Sequence, residues 1–588
     1  MTAHPTPLED PALAWGDDGE PRSGRFGDVY FSAENGLAES RAVFLDGCGL
    51  PEAWRGRRRF TVGELGFGTG LNIAALLELW RRTRDEGATL HIFSVEAFPM
   101  ARDDVERALA RWPEIADIAA ELVERLPPRT PGFHRVDLPA WGATLDLAYL
   151  EAAEALAAWQ GNADAWFLDG FAPAANPQMW RDEVLALIAR RSAPGARAAT
   201  FTVAGEVRRG LTAQGFEVSK RPGFGRKRER VEAVLRGAAT EGSASTVAII
   251  GAGIAGASLA RAFKALGCAC TVIDDADARA SDVPAALVTP RFDAAGGQVA
   301  RLFAQAFERA VDLYRRETPG AILHQGVLQL EHQDRDAARF DKIAAQPLWP
   351  EHTVTRLTAE AASKRIGEPV SRGALGLSDG LAIDPSRVLA AWLDGARRIE
   401  AQVAGFDRGG GGWTVRDASG GVIVKADVVC IANGWGARAF LADGLLKPTR
   451  GQATVFETAA APAAFAWGGY VVPLPGGVLV GATHDRAEAA TDVRDADDGR
   501  NLDSLARVAP ALAQSLAAAP RNGWAAVRAL TADRLPVAGE LKDGLYVLTG
   551  LGSRGFTVAP LLAEQIAARA TGTPPPLPLD LERPGFPD

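Results

Sequence analysis

The stretch VAIIGAGIAGASLARAF, residues 247–263, reads as a strand, a glycine turn and a helix. An apolar run over 247–250 leads into Gly251, Gly253 and Gly256 at G-x-G-x-x-G spacing, and a helical pattern follows to about Leu266. A second strand over 270–273 ends at Asp274, 23 positions after Gly251. Glycines there allow a tight turn and let backbone N–H groups approach a pyrophosphate at the helix N-terminus. Asp274 falls close to the spacing at which an acid bonds a ribose hydroxyl. The glycine spacing alone is a weak signal. With both strands, the helix and the acid, it reads as a dinucleotide-binding βαβ unit.

Working outward, the unit begins far inside a chain of 588 residues. At roughly 100–200 residues per domain, several domains are expected. The small, polar segment RGAATEGSAS, residues 236–245, reads as a linker. We therefore expect a first domain over 1–236, a linker over 237–245 and a second domain over 246–588. The proline-rich tail TGTPPPLPLDLERPGFPD is expected to be extended.

Composition is that of a globular protein, with 47% apolar and 23% charged residues. A net charge of −9 gives no global attraction to nucleic acid, so a polyanion would need local basic patches. Four scattered cysteines, Cys48, Cys268, Cys270 and Cys430, suit neither a disulfide framework nor a zinc site. They are expected to be reduced, and no metal is expected. The first residues, MTAHPTPLEDPALAW, lack the basic start and apolar core of a signal peptide. No run of ~18 apolar residues suggests a membrane span, so a cytoplasmic protein is expected.

In the second half, ADVVCIANGWGA reads as a buried strand entering a turn at Asn433 and Gly434. Further on, a strand over 545–549 leads into GLGSRG and a helix. This half resembles the D-amino-acid oxidase and glycine oxidase superfamily of FAD enzymes over most of 246–570. The resemblance implies FAD held by Gly251, Gly253, Gly256, Asp274, Gly550, Gly552, Ser553, Gly555 and Phe556. It implies that Arg528 and Arg554 face a substrate carboxylate, with Tyr470 lining the same space. A rigid guanidinium fork suits a carboxylate, although an arbitrary arginine is more often structural or solvated. In ARASDVPAALVTPRFD, Val283 and Ala286 replace the family's Asn and Gly, while Ser281 and Pro290 remain.

The first half carries its own glycine turn. FTVGELGFGTGLNIAALLELW begins at Phe60 and sets Glu64 before Gly66, Gly68 and Gly70, with an amphipathic helix after them. It has neither the P-loop lysine nor the six-residue Rossmann spacing; a NAD-type domain stays open as an alternative. It resembles the first motif of class I methyltransferases that use S-adenosylmethionine. That resemblance implies cofactor contacts from Glu64, the three glycines and Glu96 in SVEAFP. The strand of AWFLDGF ends in Asp169, which could orient an acceptor amine or take its proton; otherwise it is a turn former. Because a methylsulfonium is already activated, positioning supplies most of the rate.

GELGFGTGLN, SVEAFP, AWFLDGFAPAANPQMW, FTVAGEVRRGL and KRPGFGRKRER occur in this order ahead of the oxidase half, preceded by PRSGRFGDVYFSAENGLAESRAVFLDG. The whole chain resembles the family of bifunctional enzymes that build 5-methylaminomethyl-2-thiouridine in tRNA. The fold class implied is α/β: a class I Rossmann-like methyltransferase domain, then an FAD-binding Rossmann domain with an inserted antiparallel-sheet substrate domain. The resemblance implies that the second half removes the carboxymethyl group of 5-carboxymethylaminomethyl uridine and the first half methylates the freed amine. Leu150 and Glu151 stand where the family has Gly-Asp; Glu151 is the candidate for the adenine amine. The implied partner is the tRNA anticodon stem-loop, with a monomeric protein. RGRRRF at 55–60 and GFGRKRER at 223–230 are the best basic clusters for it, though such runs are more often solvated faces. Two other readings remain at this point: a small-molecule amine oxidase fused to an amine methyltransferase, and a degenerate flavin half that only docks tRNA.

Overall fold

The computed structural model describes residues 6–581 apart from 18, 32–34, 226, 238–244, 276–278 and 460–461. Almost all of the expected linker lies outside the described residues. The chain forms two compact units, and the described parts of them are 6–237 with 573–581, and 245–572.

The first unit is built on an eight-stranded sheet. Its elements are β1 (Arg59–Leu65), α1 (Leu71–Thr83), β2 (Thr89–Val95), β3 (Gly132–Leu138), β4 (Ala143–Tyr149), α2 (Ala152–Ala158), β5 (Ala163–Leu168), α3 (Asp182–Arg190), β6 (Ser192–Thr200), β7 (Phe216–Pro222) and β8 (Glu229–Leu235). Strand order is β3-β4-β2-β1-β5-β6-β8-β7. The five from β4 to β6 are parallel, and antiparallel strands close both edges. Nearly every residue of β1 and β5 is buried, as expected of central parallel strands covered on both faces. The sheet order reverses on either side of β1, so a crevice forms beyond the carboxyl end of β1, where the glycine turn lies. Gly63 lets this strand pass the Trp166 ring, which a Cβ there would meet at 2.3 Å.

The second unit has a six-stranded sheet made of β9 (Thr246–Ile250), β10 (Ala269–Asp274), β11 (Arg397–Glu400), β12 (Val428–Ile431), β13 (Val537–Lys542) and β14 (Leu545–Thr549). Its order is β11-β10-β9-β12-β14-β13, parallel except for edge strand β13. Helix α4 (Ile254–Ala265) follows β9, and α5 (Gly555–Thr571) follows β14. A ten-stranded, mainly antiparallel sheet is inserted between these elements. It supplies Tyr470–Leu474 and the long pair Lys447–Glu457 with Arg521–Leu530. Both halves thus have the α/β architecture read from the sequence. Helix α5 is buried nearly all round, which a surface helix with one apolar stripe would not be. Within it, the buried Glu564 holds Arg309 at 2.7 Å and also bonds Arg261.

One boundary differs from the expectation. The tail does not stay with the second unit beyond Gly572; residues 573–581 group with the first. Proline lacks an N–H, so such a segment offers more carbonyl acceptors than donors. Those of Pro574 and Leu577 accept hydrogen bonds from Arg135 and Gln160, and Pro574–Pro578 are buried there. All four cysteines are free thiols, three of them buried, and burial pushes Cys48 up to about 12. Among the described residues, no helix is long and apolar enough to cross a membrane.

Candidate functional sites

In the second unit a cavity of about 920 Å³ is lined by the residues that follow the carboxyl ends of β9, β12 and β14. Gly251, Gly253, Asp274, Gly550, Gly552, Ser553, Gly555 and Phe556 all line it. So do Tyr470, Arg528 and Arg554. Gly256 does not; a Cβ there would meet the Gly251 carbonyl oxygen at 1.8 Å, so its part is to let α4 pack on the turn. Gly251 has φ +100° and a Cβ would strike Asn433 Cα at 2.6 Å, so only glycine fits.

The cradle suits a dinucleotide. Asp274 Oδ1 accepts the Ala252 N–H at 3.1 Å, tying the second strand's acid to the glycine turn. Asn433 Oδ1 lines the cavity, buried without a hydrogen-bond partner among the described residues. Such an orphan is costly unless a ligand donor meets it. In the altered loop, Ser281 Oγ accepts the Ile254 N–H at 2.9 Å, capping α4. Val283, Ala286 and Pro290 all line the cavity, so this loop offers apolar contact where Asn and Gly were expected.

The other end of the cavity is cationic. Arg528 donates to the Thr483 carbonyl at 2.8 Å, and neither Arg528 nor Arg554 has a carboxylate partner among the described residues. Burial lowers both, Arg554 to about 10. Burial raises the Tyr470 hydroxyl, against the opposing pull of Arg528. Two residues not singled out from sequence matter here. At Gly451 a Cβ would lie 1.8 Å from Arg528 Nη2, so the missing side chain is what seats the guanidinium. His484 lines the cavity, and burial followed by Arg528 and other arginines holds its imidazole below its usual range, leaving a neutral proton acceptor.

In the first unit the glycine turn after β1 has φ of +91°, +54° and +76° at Gly66, Gly68 and Gly70. A Cβ on Gly66 would lie 2.0 Å from the Asp169 carbonyl oxygen, so the turn and the loop after β5 touch through backbone. Three acids gather around it. Glu96, at the end of β2, accepts the N–H groups of Gly68 and Phe98, both at 2.8 Å. Glu64 accepts the Ser94 hydroxyl at 2.5 Å, while its Oε1 is buried without a hydrogen bond. Asp169 Oδ2 accepts the Asn72 amide at 2.6 Å.

Burial raises all three, and Asp169 stands at about 7. Glu64 is raised further by the charges of Asp169 and Glu96. A set of partly dehydrated acids fits a cationic ligand, and the sulfonium and ammonium of S-adenosylmethionine are cations. Glu151 is otherwise engaged: its carboxylate caps α2 through the Ala153 N–H at 2.8 Å and pairs with Arg181 at 3.2 Å.

Sequence reading missed Asn72 and Ser40, although both lie in motifs quoted for the resemblance. Ser40 Oγ donates to Asn72 Oδ1 at 2.7 Å, which turns the amide N–H₂ toward Asp169. It also missed an aromatic cluster by the turn: Phe171 stacks on Phe26 at 4.8 Å and meets Tyr30 edge-on at 5.1 Å. The basic clusters are largely occupied. Arg57 pairs with Asp164, Lys227 with Glu39 and Arg230 with Glu232; Arg226 lies outside the described residues.

Comparison with known proteins agrees with the two kinds of domain. A model of FAD dependent oxidoreductases matches residues 246–569, and one of S-adenosyl-L-methionine-dependent methyltransferases matches residues 113–236. A Caulobacter vibrioides protein named tRNA 5-methylaminomethyl-2-thiouridine biosynthesis bifunctional protein MnmC is 54% identical, covering 98% of this chain and 97% of its own. A protein of the same name from Maricaulis maris is 44% identical, covering 97% and 94%. The likeness therefore runs through both units and the order in which they occur, and the chain belongs to the family of tRNA 5-methylaminomethyl-2-thiouridine biosynthesis bifunctional proteins.

Proposed function

We propose that the protein carries out two successive reactions on the wobble uridine of tRNA. The second unit removes the carboxymethyl group from 5-carboxymethylaminomethyl-2-thiouridine, leaving a 5-aminomethyl group. The first unit methylates that amine to 5-methylaminomethyl-2-thiouridine. FAD, bound along the 920 Å³ cavity, supplies the oxidising chemistry for the first reaction, and S-adenosylmethionine supplies the methyl group for the second.

The observation that carries this reading is the pair Arg528 and Arg554, two guanidiniums without carboxylate partners on one cavity with the dinucleotide cradle. A dehydrated cation is costly until an anion meets it, and the glycine-like end of the substrate brings a carboxylate. Tyr470 walls the same space, and His484 takes the proton that the amine must lose before its C–H bond is oxidised. In the first unit Glu64, Glu96 and the backbone of Gly66, Gly68 and Gly70 hold the methyl donor. Asp169, kept in place by Asn72, orients the acceptor amine and receives its proton.

On this reading the protein acts as a monomer in the cytoplasm, where tRNA is modified. Mass spectrometry of wobble nucleosides, after incubation with hypomodified tRNA, tests the proposal. Without S-adenosylmethionine the 5-aminomethyl nucleoside should accumulate, and with it the 5-methylaminomethyl nucleoside. An unchanged carboxymethylaminomethyl nucleoside in both samples would refute it.

A further inference from the structure

Beside the large cavity of the second unit lies a smaller one of about 310 Å³. The two share a wall, because His332, Trp467, Gly468 and Gly469 line both. Neither the cofactor cradle nor the paired arginines Arg528 and Arg554 reach the smaller cavity, so the two reactions leave it without a purpose. It is at the low end of the roughly 300–1,000 Å³ range of small-molecule sites.

Its chemistry is two-faced. Leu330, Val508 and the buried Trp467 give it an apolar floor, and Arg372 and Arg507 stand exposed at its rim. The Arg507 guanidinium has no ion pair or hydrogen bond among the described residues. Arg372 pairs at 2.7 Å with Asp334, whose carboxylate is 97% exposed; a pair so hydrated is weak and readily exchanged for another anion. Glu331, the only acid in the lining, is already neutralised by Arg356 at 2.7 Å. Ser504 Oγ accepts the Trp467 indole N–H at 3.2 Å, which leaves its own proton free to donate.

An apolar floor below a cationic rim takes a ligand with a flat apolar body and an anionic end, as a nucleotide has. The substrate proposed for the neighbouring cavity is one nucleotide of a continuous RNA strand. Gly469 of the shared wall adjoins Tyr470, which interacts with Arg528, so the wall stands beside the end of the large cavity proposed for the 5-substituent. With a net charge of −9, the protein must win RNA by local cations of this kind. We infer that the smaller cavity receives a nucleotide flanking the wobble uridine, its base over Trp467 and Val508 and its phosphate against Arg507 and Arg372. The inference rests on the wobble-uridine reading given above.

The test compares two substrates for oxidation: an anticodon stem-loop RNA carrying 5-carboxymethylaminomethyl-2-thiouridine, and that modified nucleoside alone. The enzymes are the full-length wild type and Arg507→Glu, each loaded with FAD. Reversal of an exposed charge leaves the fold intact, and flavin absorbance checks this. For the stem-loop, KM should rise about tenfold or more in Arg507→Glu with kcat little changed. For the nucleoside, which has no flanking phosphate, the change should stay below twofold. The slope of log affinity against log salt for the stem-loop should fall by about one in Arg507→Ala. A wild type active on the stem-loop with an unchanged Arg507→Glu, or equal losses on both substrates, overturns the inference alone. A wild type inert on the stem-loop brings down the wobble-uridine reading and the inference with it.

Discussion

The two glycine turns each follow a central parallel strand, and their surroundings are opposite in charge. Beyond β1 the turn is surrounded by Glu64, Glu96 and Asp169, all raised by burial and all bonded to neutral donors of the chain itself. Beyond β9 the cavity is lined by Arg528 and Arg554, lowered by burial and without a salt bridge among the described residues, the charge of Asp485 only partly opposing the effect on Arg528. One site is built to hold cations, the other to hold an anion. That contrast matches the chemistry of consecutive substrates. The oxidised group carries a carboxylate; once it is removed, what remains is an amine that takes a proton in water. On the function proposed above, the product would be repelled by the arginines that held its precursor and would suit the acids of the methylating site. Fusion of the units needs no channel between them for this sorting to work, because the sign of the charge directs each species.

The most severe way to break the contrast is to neutralise the acidic site. Asp169→Asn keeps shape and the contact with Asn72 but cannot take a proton. Methylation of a supplied 5-aminomethyl RNA should fall by about 10³-fold while oxidation by the second unit is unaffected. Methylation at the wild-type rate would remove Asp169 from the chemistry.

A second comparison lies within the second unit, between two buried cations at one helix: one, from a neighbouring helix, is paired with its carboxylate, and the other stands at its start. Glu564 in α5 neutralises Arg309, and both side chains are almost wholly enclosed. Arg554 stands at the start of the same helix with no such partner. Glu564→Gln should destabilise the unit by about 3 kcal/mol, since it leaves the enclosed Arg309 to the partly exposed Asp312 and Arg261 to Glu317, and would appear as a lower urea midpoint. Arg554→Met should leave the midpoint unchanged or raise it while abolishing oxidation. If both lower the midpoint equally, the unpaired arginine is structural and the anion site is misassigned.

A smaller effect sharpens the role of Arg528. Gly451→Ala adds one methyl group at a point 1.8 Å from Nη2, and the guanidinium must move. Oxidation should fall about tenfold through KM, as expected for a charge-assisted hydrogen bond lost, with flavin content unchanged. An equal loss of flavin would mean that Gly451 shapes the cradle rather than the substrate end.

How much of this was legible beforehand follows from the range of the interactions involved. The βαβ unit at residue 246 and the strand of 545–549 were readable because strand, turn and helix are local patterns. Arg528 and Arg554, and Asp169 too, were legible through motifs. Gly451 was not, because it lies far from Arg528 in sequence and meets it only by pairing of two long strands. Ser40 and Asn72 were invisible for a similar reason: their value lies in which atoms face each other. The tail misled because a proline run has no periodicity to indicate which unit its carbonyls serve.

The finest test concerns the donor that faces Asp169. Ser40 Oγ gives its proton to Asn72 Oδ1, so the amide N–H₂ is fixed toward the carboxylate, 2.6 Å away. Burial raises Asp169 and the Asn72 hydrogen bond opposes that rise, with a midpoint at about 7 as the outcome. In the role proposed above Asp169 acts as a base in its ionised form, so methylation should be low in acid and climb as pH passes through about 7. Asn72→Ala removes a bond to the charged form only, so the midpoint moves upward, by about one unit for a hydrogen bond of roughly 1.5 kcal/mol. Ser40→Ala should shift it in the same direction and less, because the amide stays but loses its fixed orientation. The pH profile of methylation under saturating substrate separates this from simple damage. A midpoint that stays near 7 while the plateau falls would make Asn72 a packing residue, and the acidic site would then owe its charge state to burial alone.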